Sequence, residues 1–258
     1  MSFNDILTPL RAQNPLVQCI TNYVAMNIAA NVVLAAGASP AMLHAVEEIE
    51  DFTPICGALT INIGTLDGAW AASMMAAAKT ANASDVPWVL DPVAHFVSAY
   101  RKGVAQDLLV QRPTILRGNA SEILALAGEA GSGKGADSGD SVDAAKGAAE
   151  ALARDYGATV AVTGPVDFVT DGTQSAEVTG GSALMPQITA LGCSQTALMG
   201  AYAAAGPAFD AALGALAHFK AAGNVAASQA TGPGSFQVHF LDALASVGPD
   251  DLAQTVLG

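Results

Sequence analysis

Short apolar runs that each stop on a polar residue constrain this chain more than any other feature of its sequence. Residues 16–21 end at Asn22, 58–63 at Gly64-Thr65, 88–90 at Asp91, and 114–116 at Arg117-Gly118-Asn119. Each run is short and nearly continuous in apolar residues, as a strand buried on both faces requires. Between them lie helical stretches at 23–36, closed by Gly37, at 68–81, and from Asn119 onward. Strands alternating with helices imply an α/β fold with a mostly parallel central sheet covered by helices on both faces. In open sheets of this kind ligands sit beyond the carboxyl ends of the strands. The polar residues that end the runs, together with Thr163-Gly164 after a strand near 158–163, are therefore expected to cluster in space.

The remaining elements are slighter. Residues 4–12 read as a short amphipathic helix closed before Pro15, 40–43 as a short strand and 47–51 as an acidic, solvated helix face. A Gly/Ser loop at 128–141 precedes a helix through about Tyr156. A second strand follows near 166–170, and from Cys193 to the end the pattern is almost wholly helical. There is no internal repeat and no clear linker, so residues 1–258 are read as one domain.

Composition narrows the class of function. Hydrophobic residues make up 52% of the 258, and a mean hydropathy of +0.39 indicates a folded, core-rich chain. Ten basic residues against 23 acidic ones give a net charge of −13, which argues against a nucleic-acid or anionic-membrane surface. A polyanionic ligand would need a local arginine, backbone amides or Mg²⁺. The cysteines, Cys19, Cys56 and Cys193, are too scattered for a disulfide framework or a zinc site. No signal peptide is read in MSFNDILTPLRAQ. Residues 178–209 carry no charge, but Pro186, Gly192 and several polar residues interrupt them, so a buried loop and core helix are expected and no membrane span. A cytoplasmic protein is expected.

One stretch carries chemistry of its own. PQITALGCSQTALMGAYAAA, residues 186–205, reads as extended up to Leu191 and as an apolar helix from Cys193. The first amides of such a helix have no intrahelical partner, and the dipole adds positive potential there. A glycine at the turn lets an anion approach, and a thiol in the first turn is expected to have its pKa lowered by the same field. A plain strand, turn and helix with a buried cysteine accounts for the stretch equally well. Residues 128–135, GEAGSGKG, nearly match a phosphate-binding P-loop, but the last position is Gly135, with no hydroxyl for Mg²⁺. The segment also follows a helix where a P-loop must follow a strand, so it is read as a surface loop.

Several motifs resemble those of hydroxyethylthiazole kinases, of the ribokinase-like superfamily. TALGC (189–193) resembles the family's T-G-T-G-C, with Ala190 and Leu191 departing from it. CITNYVAMN (19–27), GASPAML (37–43), LDPVAHF (90–96), ILRGNASEI (115–123), TGPVDFVTDG (163–172) and GPGSFQVHFLDAL (232–244) match further segments in order. ILRGNASEI is the most specific; LDPVAHF replaces the glycines of L-D-P-V-G-A-G with bulkier residues.

The resemblance implies a ribokinase-like fold and an ATP- and Mg²⁺-dependent kinase that phosphorylates the primary alcohol of 4-methyl-5-(2-hydroxyethyl)thiazole in thiamine salvage. It implies Asn22, Met42, Gly64, Thr65 and Ala190 on the acceptor, and Arg117, Asn119, Thr163 and Gly164 on ATP. Asp91 and Glu122 are implied for the metal, the amides of Ala190, Leu191 and Gly192 for an anion hole, and Cys193 as the base. His95 is read as a pocket wall; His218 and His239 are read as packing or surface residues. A homotrimer with sites between subunits is implied. Without the resemblance Asn22 is a helix cap, Met42 is core, Asp91 caps a turn, and Asn119 with Glu122 forms a capping box. Because TALGC and LDPVAHF reshape the pocket, a kinase of another small alcohol stays open. So does a non-catalytic thiazole or nucleotide binder.

Overall fold

The apolar runs become strands that line up their polar ends. The computed structural model describes residues 2–128 and 140–257. Its strands are β1 (Leu16–Ile20), β2 (Ser39–Ala41), β3 (Ala58–Asn62), β4 (Trp88–Asp91), β5 (Ile115–Asn119), β6 (Thr159–Thr163), β7 (Asp167–Thr170), β8 (Ser175–Val178) and β9 (Val256–Leu257). Among the described residues they form one sheet in the order β2-β1-β3-β4-β5-β6-β7-β8-β9. β1 to β6 run parallel, while β7, β8 and β9 each pair antiparallel with the strand before. The register sets Asn62 opposite Asp91 and Asn119 opposite Thr163, so the strand ends form one rim.

The helices are α1 (Asn4–Gln13), α2 (Met26–Ala36), α3 (Ile49–Phe52), α4 (Gly68–Ala83), α5 (Ala99–Leu109), α6 (Ala120–Leu126), α7 (Val142–Tyr156), α8 (Leu191–Ala203), α9 (Ala208–Gln229), α10 (Pro233–Ser246) and α11 (Pro249–Ala253). Strand side chains alternate between two cores. Val17, Val89, Ile115 and Ala161 face α1, α2, α8, α9 and α10, whereas Leu59, Leu90, Leu116 and Val160 face α4 to α7. Full burial of such a Leu or Ile stabilises by about 1.5–3 kcal/mol. Continuous apolar strands are the consequence of covering both faces.

Side-chain caps set the starts of the helices between β3 and β6. Asp67 accepts from the Trp70 amide at 2.8 Å to begin α4, Ser98 from Arg101 at 3.2 Å to begin α5, and Ser141 from Ala144 at 3.3 Å to begin α7. Gly37, at φ 99°, ends α2 as expected.

Three expectations are corrected. Helix α2 starts at Met26, three residues later than its apolar pattern, because Asn22 Oδ1 accepts the Ala25 amide at 3.0 Å and holds the intervening residues as a turn. Residues 186–191 are not a strand: Met185–Gln187 is a 3₁₀ turn with Pro186 in it, and α8 begins at Leu191, two residues before Cys193. Helix α5 and strands β8 and β9 add to the elements expected. Most of the P-loop-like segment, residues 129–135, lies outside the described residues; Gly128 before it follows α6. Among the described residues no helix is long and apolar enough to cross a membrane.

Candidate active site

Helix α8 starts without a cap. Ala190 precedes it in the left-handed region, φ 59° and ψ 15°, and offers no capping side chain. The Leu191 amide donates to Ile188 O at 3.3 Å and the Ser194 amide to Ala190 O at 3.0 Å. The amides of Gly192 and Cys193 between them donate to nothing among the described residues. These orphan donors coincide with the positive end of a thirteen-residue helix. Of the expected anion hole, Leu191 N–H is therefore turned aside, and Gly192 with Cys193 carries the open positions. Arg117 lies against them: a Cβ built on Gly192 would stand 3.3 Å from Arg117 Nη2. A side chain there would displace the guanidinium.

The polar rim converges on Asp91. Its Oδ2 accepts from Thr196 Oγ1 at 2.6 Å, Asn62 Nδ2 at 2.8 Å and Arg117 Nη1 at 3.2 Å. Arg117 Nη2 goes on to Thr163 Oγ1 at 2.8 Å and Gln195 Oε1 at 3.4 Å. Asp91 thus does not cap a turn. Burial raises its carboxyl above the usual range, against the opposing pull of Arg117, Thr196 and Asn62. Burial alone would weaken the Arg117 charge, but Asp91 and Glu122 nearby more than restore it. Two buried atoms of this cluster, Asp91 Oδ1 and Arg117 Nε, have no partner among the described residues. An unsatisfied buried acceptor and donor side by side are costly unless a ligand completes them.

Glu122 closes the capping box that starts α6. Its Oε2 accepts the Asn119 amide at 2.8 Å, while Asn119 Oδ1 accepts the Glu122 amide at 3.0 Å. Its Oε1 accepts the Ala94 amide at 2.8 Å, fixing the loop after β4. Burial, then the nearby Asp91, pushes Glu122 up to about 7. Capping and metal binding are compatible, since each oxygen keeps a second lone pair. Asp91 and Glu122 form an all-oxygen, carboxylate donor set with a vacant acceptor on Asp91, which fits Mg²⁺, an ion commonly held by one or two carboxylates with substrate phosphates and waters. Among the described residues no three His, Cys, Asp or Glu residues group as a complete metal site.

Cys193 overturns one expectation. Burial, then Asp91, pushes its thiol up to about 11, despite Arg117 and the amides of Asn62 and Asn22 acting the other way. The expected lowering from the helix field is outweighed because the sulfur is largely desolvated beside a carboxylate. His95 is also corrected. It is buried with Nδ1 3.3 Å from Pro92 O, and it does not line the cavity described below. Burial lowers its imidazole to about 4, and it is neutral at physiological pH.

The acceptor-side residues only partly converge. Asn22 Nδ2 donates to Asn62 Oδ1 at 2.8 Å, and the Gly64 amide donates to the same oxygen at 3.0 Å. Asn22 is therefore both the helix-entry cap and a member of the rim. Thr65, at φ 38°, accepts the Tyr23 amide at 3.1 Å on Oγ1. Met42 packs half-buried against the α2 and α8 core, its carbonyl 3.4 Å from His44 Nδ1.

Beside the start of α8 lies a cavity of about 560 Å³ lined by Thr163, Gly164, Gly192, Gln195 and residues 180–183, 185 and 186 among others. It adjoins the free amides through Gly192 and the Arg117 pair through Thr163. Sequence reasoning missed Asn62, Gln195, Thr196, Asp167 and Lys220. Asn62 ends a strand like the other rim residues, and Gln195-Thr196 are polar positions in an apolar helix, so both left a signal.

Comparisons with known proteins place the chain by family and by fold. The model of the hydroxyethylthiazole kinase family matches residues 7–250. A hydroxyethylthiazole kinase of Roseobacter denitrificans is 75% identical over 256 residues, covering 99% of this chain and 100% of that protein. The solved structure of a hydroxyethylthiazole kinase protein from Pyrococcus horikoshii OT3 superposes with a TM-score of 0.91 at 38% identity, covering 99% of this chain and 97% of that one. A ribokinase-like superfamily protein from Enterococcus faecalis V583 shares the fold, with a TM-score of 0.66 at 10% identity and coverage of 95% and 94%.

Proposed function

The chain belongs to the hydroxyethylthiazole kinase family, and from that premise we propose that it transfers the γ-phosphoryl group of ATP to the primary alcohol of 4-methyl-5-(2-hydroxyethyl)thiazole. The observation that carries this reading is the meeting of Asp91, Arg117 and Cys193 at the uncapped start of α8. Phosphoryl transfer through a loose transition state asks for positioning and charge neutralisation more than covalent chemistry. The amides of Gly192 and Cys193 would hold the transferring group, and Arg117, with Thr163, would meet the remaining phosphates. The cavity bounded by Thr163, Gly164 and Gly192 would take the nucleotide. Asn22, Gly64, Thr65, Met42 and Ala190 would face the alcohol.

Mg²⁺ would be held by Asp91, with Glu122 directly or through water, and would polarise phosphoryl oxygens as they gather charge. Cys193 would stand beside the acceptor hydroxyl as a neighbour, because its raised thiol keeps its own proton. The alcohol's proton would then pass late, once the P–O bond has formed, to a phosphoryl oxygen and on to solvent. A homotrimer is proposed from the resemblance and is supported by the exposed Tyr23, Val24 and Leu34 beside the acceptor side. We place the reaction in the cytoplasm, where ATP is supplied.

A coupled assay of ADP release with the thiazole alcohol tests the assignment. Turnover should require that alcohol and Mg²⁺. Release of ADP at an equal rate with no alcohol, or none with this one, overturns it.

A further inference from the structure

Lys220 is the charged residue least expected from its surroundings. It sits in AHFKAAG on α9, and its side chain is 6% exposed among apolar neighbours. Burying an ammonium there is unfavourable unless its protons and charge find partners. They do. Nζ donates to Gly164 O at 2.7 Å and Pro165 O at 3.0 Å, and pairs with Asp167 Oδ1 at 3.4 Å. Asp167 Oδ1 also accepts the Gly164 amide at 2.8 Å. The β6–β7 turn is thus closed on itself and gripped by α9 from one side.

A lysine at the edge of a nucleotide cavity invites assignment as a phosphate ligand. The geometry turns it away from that role, because two of its three N–H donors go to backbone carbonyls and its charge is paired with Asp167 at 3.4 Å. Arg117 supplies the local positive charge, while Lys220 is spent on the protein itself.

The next turn of α9 touches the opposite wall. Asn224 Oδ1 accepts the Gly181 amide at 2.8 Å. A Cβ built on Gly223 would lie 2.9 Å from Gly181 Cα, so only glycine lets the segment lie this close. Residues 220, 223 and 224 share one helix face by their spacing. One face of one helix therefore sets both walls of the cavity, the turn at 164–165 and the segment at 180–182.

We propose that Lys220 is a positioning residue for the nucleotide: with Asp167 it holds the β6–β7 turn at a fixed distance from the 180–182 wall, and so sets the width of the cavity. The proposal rests on reading that cavity as the ATP site. A buried ion pair contributes little to stability compared with well-packed apolar residues. Its value here lies in where it holds Gly164 and the adjoining Thr163, whose hydroxyl meets Arg117.

The test compares full-length wild type with Lys220→Met and Asn224→Ala. Thermal melting, binding of a non-hydrolysable ATP analogue by calorimetry, and KM for ATP and for the alcohol are measured for each. Lys220→Met should weaken analogue binding and raise KM for ATP about tenfold, through lost preorganisation. KM for the alcohol should stay within about threefold. Equal rises in both KM values, or unchanged analogue binding in a folded Lys220→Met protein, overturn the proposal. Should that variant fail to fold, Asn224→Ala decides. It touches only the second wall and should raise KM for ATP alone, and an unchanged KM for ATP overturns the proposal. If wild type itself does not bind the analogue, the reading of the cavity as the ATP site has failed, a result distinct from binding that the variants leave intact.

Discussion

Thr196 Oγ1 donates to Asp91 Oδ2 at 2.6 Å across 105 positions of sequence, and both groups are buried. The bond ties the helix that carries Cys193 to the end of β4, so the phosphoryl-binding amides and the proposed metal carboxylate move together. Thr196→Val removes the donor while keeping the shape. It should cost about 1–3 kcal/mol, since a buried carboxylate oxygen loses its shortest partner. For a chain of this size each kcal/mol is about 2–4 °C of melting temperature. An unchanged melting temperature and kcat would show that the tie carries no strain.

Metal dependence is the sharpest test of Asp91. Only one of its oxygens is occupied by protein donors. Turnover should vanish in EDTA and return with Mg²⁺. Asp91→Asn should lower kcat about a hundredfold or more, the scale of losing one electrostatic stabiliser in a closed site, and should need more Mg²⁺ to saturate. Full activity of wild type in EDTA would remove the metal role from both Asp91 and Glu122.

Glu122 gives a pH signature. Its carboxyl, raised from 4.5 to about 7, is protonated below that pH in the substrate-free protein. Because kcat/KM reports groups of the free enzyme, kcat/KM for ATP should climb through about pH 7 and flatten in Glu122→Gln. The stability effect has the opposite sign. A raised folded pKa contributes stability below 4.5 that is lost as pH rises through about 7. The melting-temperature difference between wild type and Glu122→Gln should therefore shift across that window while activity rises. A pH profile identical in the two proteins would refute the assignment.

Cys193 should be a sluggish thiol. With its pKa pushed up to about 11, its alkylation by iodoacetamide at pH 8 should be far slower than that of a free cysteine, and should accelerate only toward pH 11. A general base in full thiolate form would be worth about 10²–10⁴ in rate. The smaller loss expected of Cys193→Ser, about tenfold, would fit a late proton transfer in a loose transition state. Rapid alkylation at neutral pH would restore the thiolate reading.

Ala190 adopts the left-handed conformation that favours glycine, the residue it replaces in T-G-T-G-C. A non-glycine residue there costs on the order of 1 kcal/mol. Ala190→Gly should melt slightly higher and raise kcat/KM for the thiazole alcohol, with KM for ATP unchanged. A change at Leu191 would not report on the pocket alone. It is buried in the core, and Leu191→Thr would also remove about 1–2 kcal/mol of apolar burial. A lower melting temperature for Ala190→Gly would mean that the alanine is not strained in its context.

Much of this architecture is legible from the residues. Continuous apolar strands and the polar residues ending them locate β1, β3, β4, β5 and β6 and the rim from Asn22 to Thr163. Other parts are not. Helix α5, AYRKGVAQDLL, has no strong apolar stripe, and its one clear signal, Ser98 before Arg101, is a cap that only the fold validates. β8 has four residues of mixed polarity and lies next to the edge, and β9, the edge strand, has two. The extended reading of residues 186–191 fails because β-branched Ile188 and Thr189 have no strand to pair with. The thiol of Cys193 follows its burial and Asp91, both tertiary. The Lys220–Asp167 pair spans 53 positions, and only a lone lysine in an apolar helix hinted at it.

The amide chain from Asn22 to Asp91 also has a direction. Asp91 can only accept, so it dictates that Asn62 turns its NH₂ toward it and its oxygen toward Asn22. Asn22 must then turn its own NH₂ inward, and its oxygen is already held by Ala25. A single charge thereby settles the orientation of two side chains that could otherwise flip. What Asn22 has left to offer is one N–H, beside the second lone pair of an oxygen already held by Ala25. Any group meeting that N–H must bring a lone pair, such as an aromatic ring nitrogen. The choice of molecule admitted on one side is written by the carboxylate that serves the chemistry on the other.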